Sequence, residues 1–375
     1  MHLNVSKRLY ILSYCHDIGA AIYKLTGTEP ELLAEIYGFP QLDEPSNILL
    51  AERIANSFYF FVVCKQFPSQ LIIYGSKLSE IKTKISFSSR IKSIKHNQQK
   101  LAVCLEESID IFSLKGLKLI HKIKFDRHNH SGLFDMCQAH RSLIAYPSVV
   151  PGQVCLFDTV TMRSQGVVKV HQSALTTIKL SNDGSLIASA SQKGTVIRVA
   201  DTESGQIVYN FCRSLMRDAV VYSLAFSPNN RYLVSSSDTG TIHLFEIKEN
   251  GPVSAIPNIS ENLGLGNVGH YLTSYFPNFM KQAEQYIPEP ISRPKSIATC
   301  RVEPGIKTDA AVTVIDRTPV VFVSMADGNL NIYRYNNDVN IELLSQYRLG
   351  QFKPLERRRT SDESNSSSST YSTSS

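Results

Sequence analysis

Two segments of the chain repeat at an offset of 46 residues, and few architectures carry such a period. Ser181-Asn-Asp-Gly-Ser-Leu-Ile-Ala-Ser-Ala-Ser-Gln-Lys-Gly194-Thr-Val-Ile-Arg-Val199 aligns with Ser227-Pro-Asn-Asn-Arg-Tyr-Leu-Val-Ser-Ser-Ser-Asp-Thr-Gly240-Thr-Ile-His-Leu-Phe245. Each reads as a turn, a strand, a tight Gly turn and a second strand. A Gly followed by apolar residues two and five positions later recurs from Gly152 to Phe157 and from Gly328 to Tyr333, with a compressed copy from Gly19 to Tyr23. Leu71 to Tyr74 and Ser108 to Phe112 end alike without the Gly. The seven anchors are Tyr23, Tyr74, Phe112, Phe157, Val199, Phe245 and Tyr333, spaced by 51, 38, 45, 42, 46 and 88 residues. Five spacings are near the roughly 40–45 residues of a four-stranded propeller blade; the last is one blade plus an insertion of about one repeat length.

The predicted fold is therefore all-β, a seven-bladed WD-type β-propeller over residues 1–350, with an insertion at about 250–295 in blade six. Blade one is expected to be shortened, because only eighteen residues precede Gly19, and its missing strand would come from the C-terminal side. Residues 351–375 form a separate tail. Ser361 to Ser375 holds nine Ser and almost nothing apolar. Such a segment cannot bury enough surface to offset ordering entropy, so disorder is expected there.

Composition narrows the function classes. Lys plus Arg exceed Asp plus Glu by only six (39 against 33), which permits an anionic partner without requiring one. The longest apolar run, Phe58 to Cys64, suits a buried strand and is far too short to span a bilayer. Met1 to Leu12 lacks the apolar stretch of a signal peptide, which leads us to expect a cytoplasmic protein. Seven scattered Cys, none spaced C-x-x-C, argue against a disulfide framework or zinc site and for a reducing compartment.

No catalytic constellation stands out, so we expect no enzyme and no cofactor. Gly264-Leu-Gly266-Asn-Val-Gly269 is formally G-x-G-x-x-G, but no strand precedes it, and a dinucleotide site needs one. His128 and His130 in Asp126-Arg-His-Asn-His-Ser read as an exposed loop pair, and no metal is expected.

After the glycines of the insertion, Val268, Tyr271, Leu272, Tyr275, Phe276, Phe279, Met280 and Ala283 recur at helical spacing, with Asn267, His270, Thr273, Asn278 and Gln282 on the other face. Pro277 interrupts the pattern, and an interior Pro costs roughly 3 kcal/mol. Periodicity alone allows two readings: a segment for the bilayer interface, or a local cap on the propeller.

Lys193, Arg198, Arg213 and Arg217 cluster in the repeats before the insertion. His171, Ser191, Thr195, Ser236, Ser237, Thr239, Thr241 and His243 lie near them in sequence. Phosphate sites use these types, an Arg fork with neutral hydroxyl donors; solvated rim cations are the alternative. Nucleic acid is not expected, since no aromatics interleave the short basic stripe.

Lys193 to Val199, Asp201-Thr, Tyr209-Asn-Phe211-Cys-Arg213-Ser and Tyr222 to Ser227 together resemble the PROPPIN family of phosphoinositide-binding WD-type propellers, and Val103 to Ser108 and Leu143 to Pro147 are similar to its WIPI branch. The resemblance runs from about Leu9 to Leu349. It implies two lipid pockets on neighbouring blades, served by a Phe-Arg-Arg-Gly motif that here reads Phe211, Cys212, Arg213, Ser214. The first pocket would use His171, Ser191, Lys193, Thr195 and Arg198 without its main Arg. The second would use Arg213 with Arg217, Ser236, Ser237, Thr239, Thr241 and His243. The resemblance also assigns the insertion, with Tyr271, Leu272, Tyr275, Phe276, Phe279 and Met280, to membrane contact, and Lys115 to a groove for an acidic partner segment. It implies a monomeric effector of phosphatidylinositol 3-phosphate, and of the 3,5-bisphosphate, on phagophore or endosomal membranes. Its partners would be autophagy lipid-transfer or conjugation proteins.

Overall fold

The computed structural model describes residues 2–5, 11–16, 19–26, 29–37, 48–54, 57–75, 80–138, 142–214, 218–248, 295–336 and 341–348. These form seven four-stranded antiparallel sheets, with no helix among the described residues. Blade one holds β1 (His2–Val5), β2 (Ile11–His16), β3 (Gly19–Thr26) and β4 (Glu29–Tyr37). Blade two holds β5 (Ile48–Arg53), β6 (Tyr59–Cys64), β7 (Gln70–Gly75) and β8 (Glu80–Ser86); blade three, β9 (Ser93–His96), β10 (Lys100–Cys104), β11 (Ser108–Ser113) and β12 (Leu119–Lys124). Blade four holds β13 (Asp135–Met136), β14 (Leu143–Pro147), β15 (Gln153–Asp158) and β16 (Arg163–Lys169); blade five, β17 (Leu175–Leu180), β18 (Leu186–Ser191), β19 (Val196–Asp201) and β20 (Ile207–Cys212). Blade six holds β21 (Val221–Phe226), β22 (Tyr232–Ser237), β23 (Thr241–Glu246) and β24 (Ala298–Arg301); blade seven, β25 (Thr308–Ile315), β26 (Thr318–Met325), β27 (Asn329–Tyr335) and β28 (Ile341–Arg348).

The ring closes through contact of β1 with β25. Blade one is not shortened. All four of its strands come from residues 2–37, and none is borrowed from the C-terminal side. Strands as short as β1 fit into the eighteen residues before Gly19.

Among the described residues, apolar side chains on both faces of the sheets of blades two to six form layers between neighbouring blades. Phe61, Val63, Leu101 and Val103 fill the space between blades two and three, and Phe211, Phe226, Leu233 and Phe245 that between five and six. Polar ties near the inner strands accompany the five layers from blade two round to blade seven. His96 Nε2 lies 2.7 Å from the Arg53 carbonyl, Asn97 Nδ2 donates to Ser142 Oγ (2.8 Å) and Leu180 N to Asp135 Oδ2 (2.8 Å). Thr177 Oγ1 donates to the Val221 carbonyl (2.8 Å), and Ala310 N to Ser223 Oγ (3.0 Å).

The repeat has a local cause at each end. Ser181 and Ser227 are fully buried, and each Oγ accepts the backbone N–H five residues on, from Leu186 and Tyr232, at 2.9 Å. Gly194 and Gly240 have φ of +59° and +71°. A Cβ on either would meet the carbonyl oxygen of Ala219 at 1.8 Å or of Val302 at 2.4 Å, so the turn can seat against the next connector only as Gly.

The seven anchors all fall on third strands, β3 through β27. A register shift between third and fourth strands accompanies Tyr23, Tyr74, Phe112, Phe157 and Tyr333. Phe245 lies just past the end of its ladder with β24, and at Val199 the shift falls one residue later. In blade five the equivalent residue is Ala200, which pairs with Ile187 as Phe245 pairs with Leu233. The Gly turn of blade five is one residue longer than that of blade six, and in a strand one residue changes the face. The insertion lies where expected, between β23 and β24, which pair directly from Thr241↔Arg301 to Leu244↔Ala298. Its residues Tyr271, Leu272, Tyr275, Phe276, Phe279 and Met280 lie outside the described residues, as do Arg217 and the Ser-rich tail.

Candidate phosphate-binding grooves

Alternation along β20 separates the two residues of the degenerate motif. Phe211 packs toward blade six, its ring stacked on Phe245 at 4.6 Å. Arg213, two positions on, takes the same direction, and Cys212 faces blade four with Asn210. The Thr195 carbonyl holds this chain end in place, accepting from Arg213 N at 2.9 Å and from Ser214 N at 3.2 Å.

Between blades five and six, Arg213 Nη2 donates to Ser237 Oγ at 2.6 Å and also to Thr239 Oγ1. Arg213 is only 9% exposed, so its charge is largely removed from water. His243 stands beside it, stacked on Phe245 at 5.9 Å, with Nδ1 3.2 Å from Ser296 Oγ. Burial, and then the Arg213 charge, lower its pKa to about 4, so the ring is neutral at pH 7. Thr241 begins β23, and its carbonyl accepts from Ser237 Oγ at 3.3 Å. Ser236 does not join this group. It faces blade seven, where its hydroxyl meets Ser223 Oγ (2.7 Å) and donates to the Thr308 carbonyl (3.1 Å).

Between blades four and five, His171 is buried with Nε2 3.2 Å from the Ser189 carbonyl. Its pKa is also lowered to about 4, by burial and then by Arg198. Arg198 donates through Nε to Asn210 Oδ1 (2.9 Å) and through Nη1 to the Val170 carbonyl (2.6 Å). Ser191 is buried beside it, Lys193 is exposed, and Thr195 is half-buried. Cys212, 9% exposed, stands where the resemblance expects an Arg.

Sequence reading passed over Ser189 and Ser235. They occupy equivalent positions, opposite Arg198 and His243, and each is buried with a hydroxyl that has no protein hydrogen-bond partner. Alternate Ser residues in both strands were the available signal: Ser189 and Ser191, Ser235 and Ser237. Lys115 is exposed on the turn after β11, and its carbonyl accepts from Ser113 Oγ at 3.1 Å.

A buried Arg213 and a half-buried Arg198, set among hydroxyls and neutral His rings in neighbouring grooves, suit phosphate monoesters. Arg provides the fixed charge, and the rings add donors once an anion raises their pKa. No helix of the described residues is long and apolar enough to cross a membrane.

Known proteins share this arrangement of blades. The chain is 30% identical over 312 residues to Autophagy-related protein 18 of Caenorhabditis elegans, covering 81% of this chain and 74% of the relative. It is 30% identical over 327 residues to human WD repeat domain phosphoinositide-interacting protein 1, covering 85% and 69%. In fold it is similar to the crystal structure of Kluyvelomyces marxianus Hsv2, with a TM-score of 0.67 at 16% identity over 93% of this chain and 98% of that one. It is also similar to the KlAtg21 chain solved in complex with the coiled-coil of AgAtg16, with a TM-score of 0.69 at 19% identity over 93% and 99%. The PROPPIN family profile matches residues 13–343, and the chain belongs to that family.

Proposed function

We propose that the protein is a phosphoinositide-binding membrane effector and scaffold in autophagosome formation, acting by binding rather than catalysis. The observation that carries this reading is Arg213, buried between blades five and six and bonded to Ser237 and Thr239 beside His243. The names of the relatives, an autophagy-related protein and phosphoinositide-interacting proteins, support it. The lipid is phosphatidylinositol 3-phosphate, with the 3,5-bisphosphate as a second ligand. Arg213, Ser237, Thr239 and His243 form the working site, with Ser235 beneath it. Arg198, His171 and Ser191 form a weaker one, because Cys212 supplies no fixed charge. Tyr271, Leu272, Tyr275, Phe276, Phe279 and Met280 enter the bilayer interface, and the protein sits peripherally on phagophore or endosomal membranes. Lys115, on the rim of blade three, receives an acidic segment of a protein partner. A neighbouring structure, of KlAtg21 with an Atg16 coiled-coil, supports a partner of that kind.

Cys212 and Ser214 in place of Arg and Gly favour a second reading, a protein-interaction scaffold without productive lipid binding. Flotation of the full chain separates the two. Co-flotation only with vesicles that carry the 3-phosphate lipid is expected. Equal recovery with and without the lipid, or none with either, favours the scaffold.

A further inference from the structure

The blade-three counterpart of the turn–connector junction carries a different chemistry. Its turn, residues 105–107 between β10 and β11, is held to the connector after β12 by two backbone bonds, Phe125 N to the Glu107 carbonyl and Asn129 N to the Glu106 carbonyl, both 2.8 Å. The connector is further fixed by Asn129, whose side chain accepts from Leu133 N (3.1 Å) and donates to the Leu133 carbonyl (3.0 Å). On this frame the side chains of Glu106, His128 and His130 converge, each offering one ligand atom, all within 4.8 Å of one another. The sequence places Glu106 more than twenty residues from the His pair, so only the fold brings the third group in.

We propose that Glu106, His128 and His130 form a site for a divalent transition-metal ion of the zinc class. Two imidazoles and one carboxylate suit such an ion, with water at the open positions. With bonds of about 2.0–2.2 Å, ligand atoms around a tetrahedral zinc stand roughly 3.3 Å apart. The separations here bracket that value: His130 Nδ1 is 2.5 Å and His128 Nδ1 3.9 Å from Glu106 Oε1. Small rotations of exposed side chains admit the ion. Lys92 pairs at 3.7 Å with the other carboxylate oxygen, Oε2, which leaves Oε1 to the metal. Glu107 Oε1, 3.7 Å from His128 Nε2, orients that ring from its far side. A bound ion would cross-link the turn of blade three to the connector leading into blade four.

The test is calorimetric titration of Zn²⁺ into the full chain near neutral pH in a non-coordinating buffer, with the variants H128A, H130A and E106Q alongside. One ion per chain is expected for the wild type. Affinity should fall in each variant by at least the roughly 10-fold that loss of even an outer-shell partner costs. E106Q keeps a hydrogen-bonding side chain of the same shape, so its loss of metal separates ligation from loop distortion. Co²⁺ should give a visible d–d band with the wild type that is absent in H130A. Absence of a one-to-one event in the wild type, or isotherms unchanged in all three variants, overturns the proposal.

Discussion

Arg198 and His243 hold the same register position in adjacent blades, Arg198 opposite Ser189 and His243 opposite Ser235. The 46-residue alignment instead sets Arg198 against Leu244. The two grooves nevertheless draw their fixed charge from different places. The groove between blades four and five has its fixed charge on the third strand and a Cys at the end of the fourth. The groove between five and six has a titratable ring on the third strand of blade six and Arg213 just after the fourth strand of blade five.

The two buried rings give the fold an acid limit. His171 and His243 titrate at about 4 in the fold, against 6.5 when unperturbed. The unfolded chain therefore takes up these protons first. Stability is fully present above about pH 6.5, falls as pH drops toward 4, and levels off below, with each ring contributing on the order of 3 kcal/mol. Thermal unfolding across this window should show the fall, and the H171Q and H243Q variants should each flatten part of it. A melting temperature independent of pH down to 4 would count against buried neutral rings.

Cys212 is expected to set valency. Without its fixed charge the groove between blades four and five should lose about 1.5–3 kcal/mol, some 10- to 150-fold in affinity. Calorimetry with a soluble short-chain lipid should give a stoichiometry near one, and the paired change Cys212→Arg with Ser214→Gly should raise it toward two. Two lipids per wild-type chain would refute the assignment.

The inserted segment is expected to act with the groove, since two weak contacts on one membrane reinforce each other through effective concentration. Replacing Tyr275, Phe276 and Phe279 by Ser should weaken vesicle binding and leave soluble-headgroup binding intact. If both fall together, the segment is a cap on the propeller.

Gly240 tests the junction between blades six and seven. Gly240→Ala places a Cβ 2.4 Å from the Val302 carbonyl oxygen at a φ of +71°. The backbone strain alone costs about 1–3 kcal/mol, before the clash. Chemical denaturation should register at least that loss; an unchanged midpoint would mean that the turn does not seat as described.

Much of the fold was legible because each blade must hide both faces of a sheet and so repeats its turn chemistry. Ser181 and Ser227, Gly194 and Gly240 announce themselves, and every anchor falls on a third strand. What was not legible turns on single residues. The longer Gly turn of blade five is invisible to an ungapped alignment, so Val199 stood in for Ala200. Ser236 looked like a pocket residue and Ser235 did not, although alternation sends Ser236 toward blade seven. Blade one looked short because only eighteen residues precede Gly19, yet the two short strands β1 and β2 fit within them. The convergence of Glu106 on His128 and His130 depends on tertiary pairing alone.

The central claim rests on Arg213, whose guanidinium Ser237 and Thr239 hold in a groove that Phe211 and Phe245 pack from below. The most direct measurement is flotation of Arg213→Ala with vesicles carrying phosphatidylinositol 3-phosphate, alongside its thermal unfolding. The account predicts a folded variant whose recovery with these vesicles falls to the level seen without the lipid. A folded variant that floats as well as the wild type would contradict it.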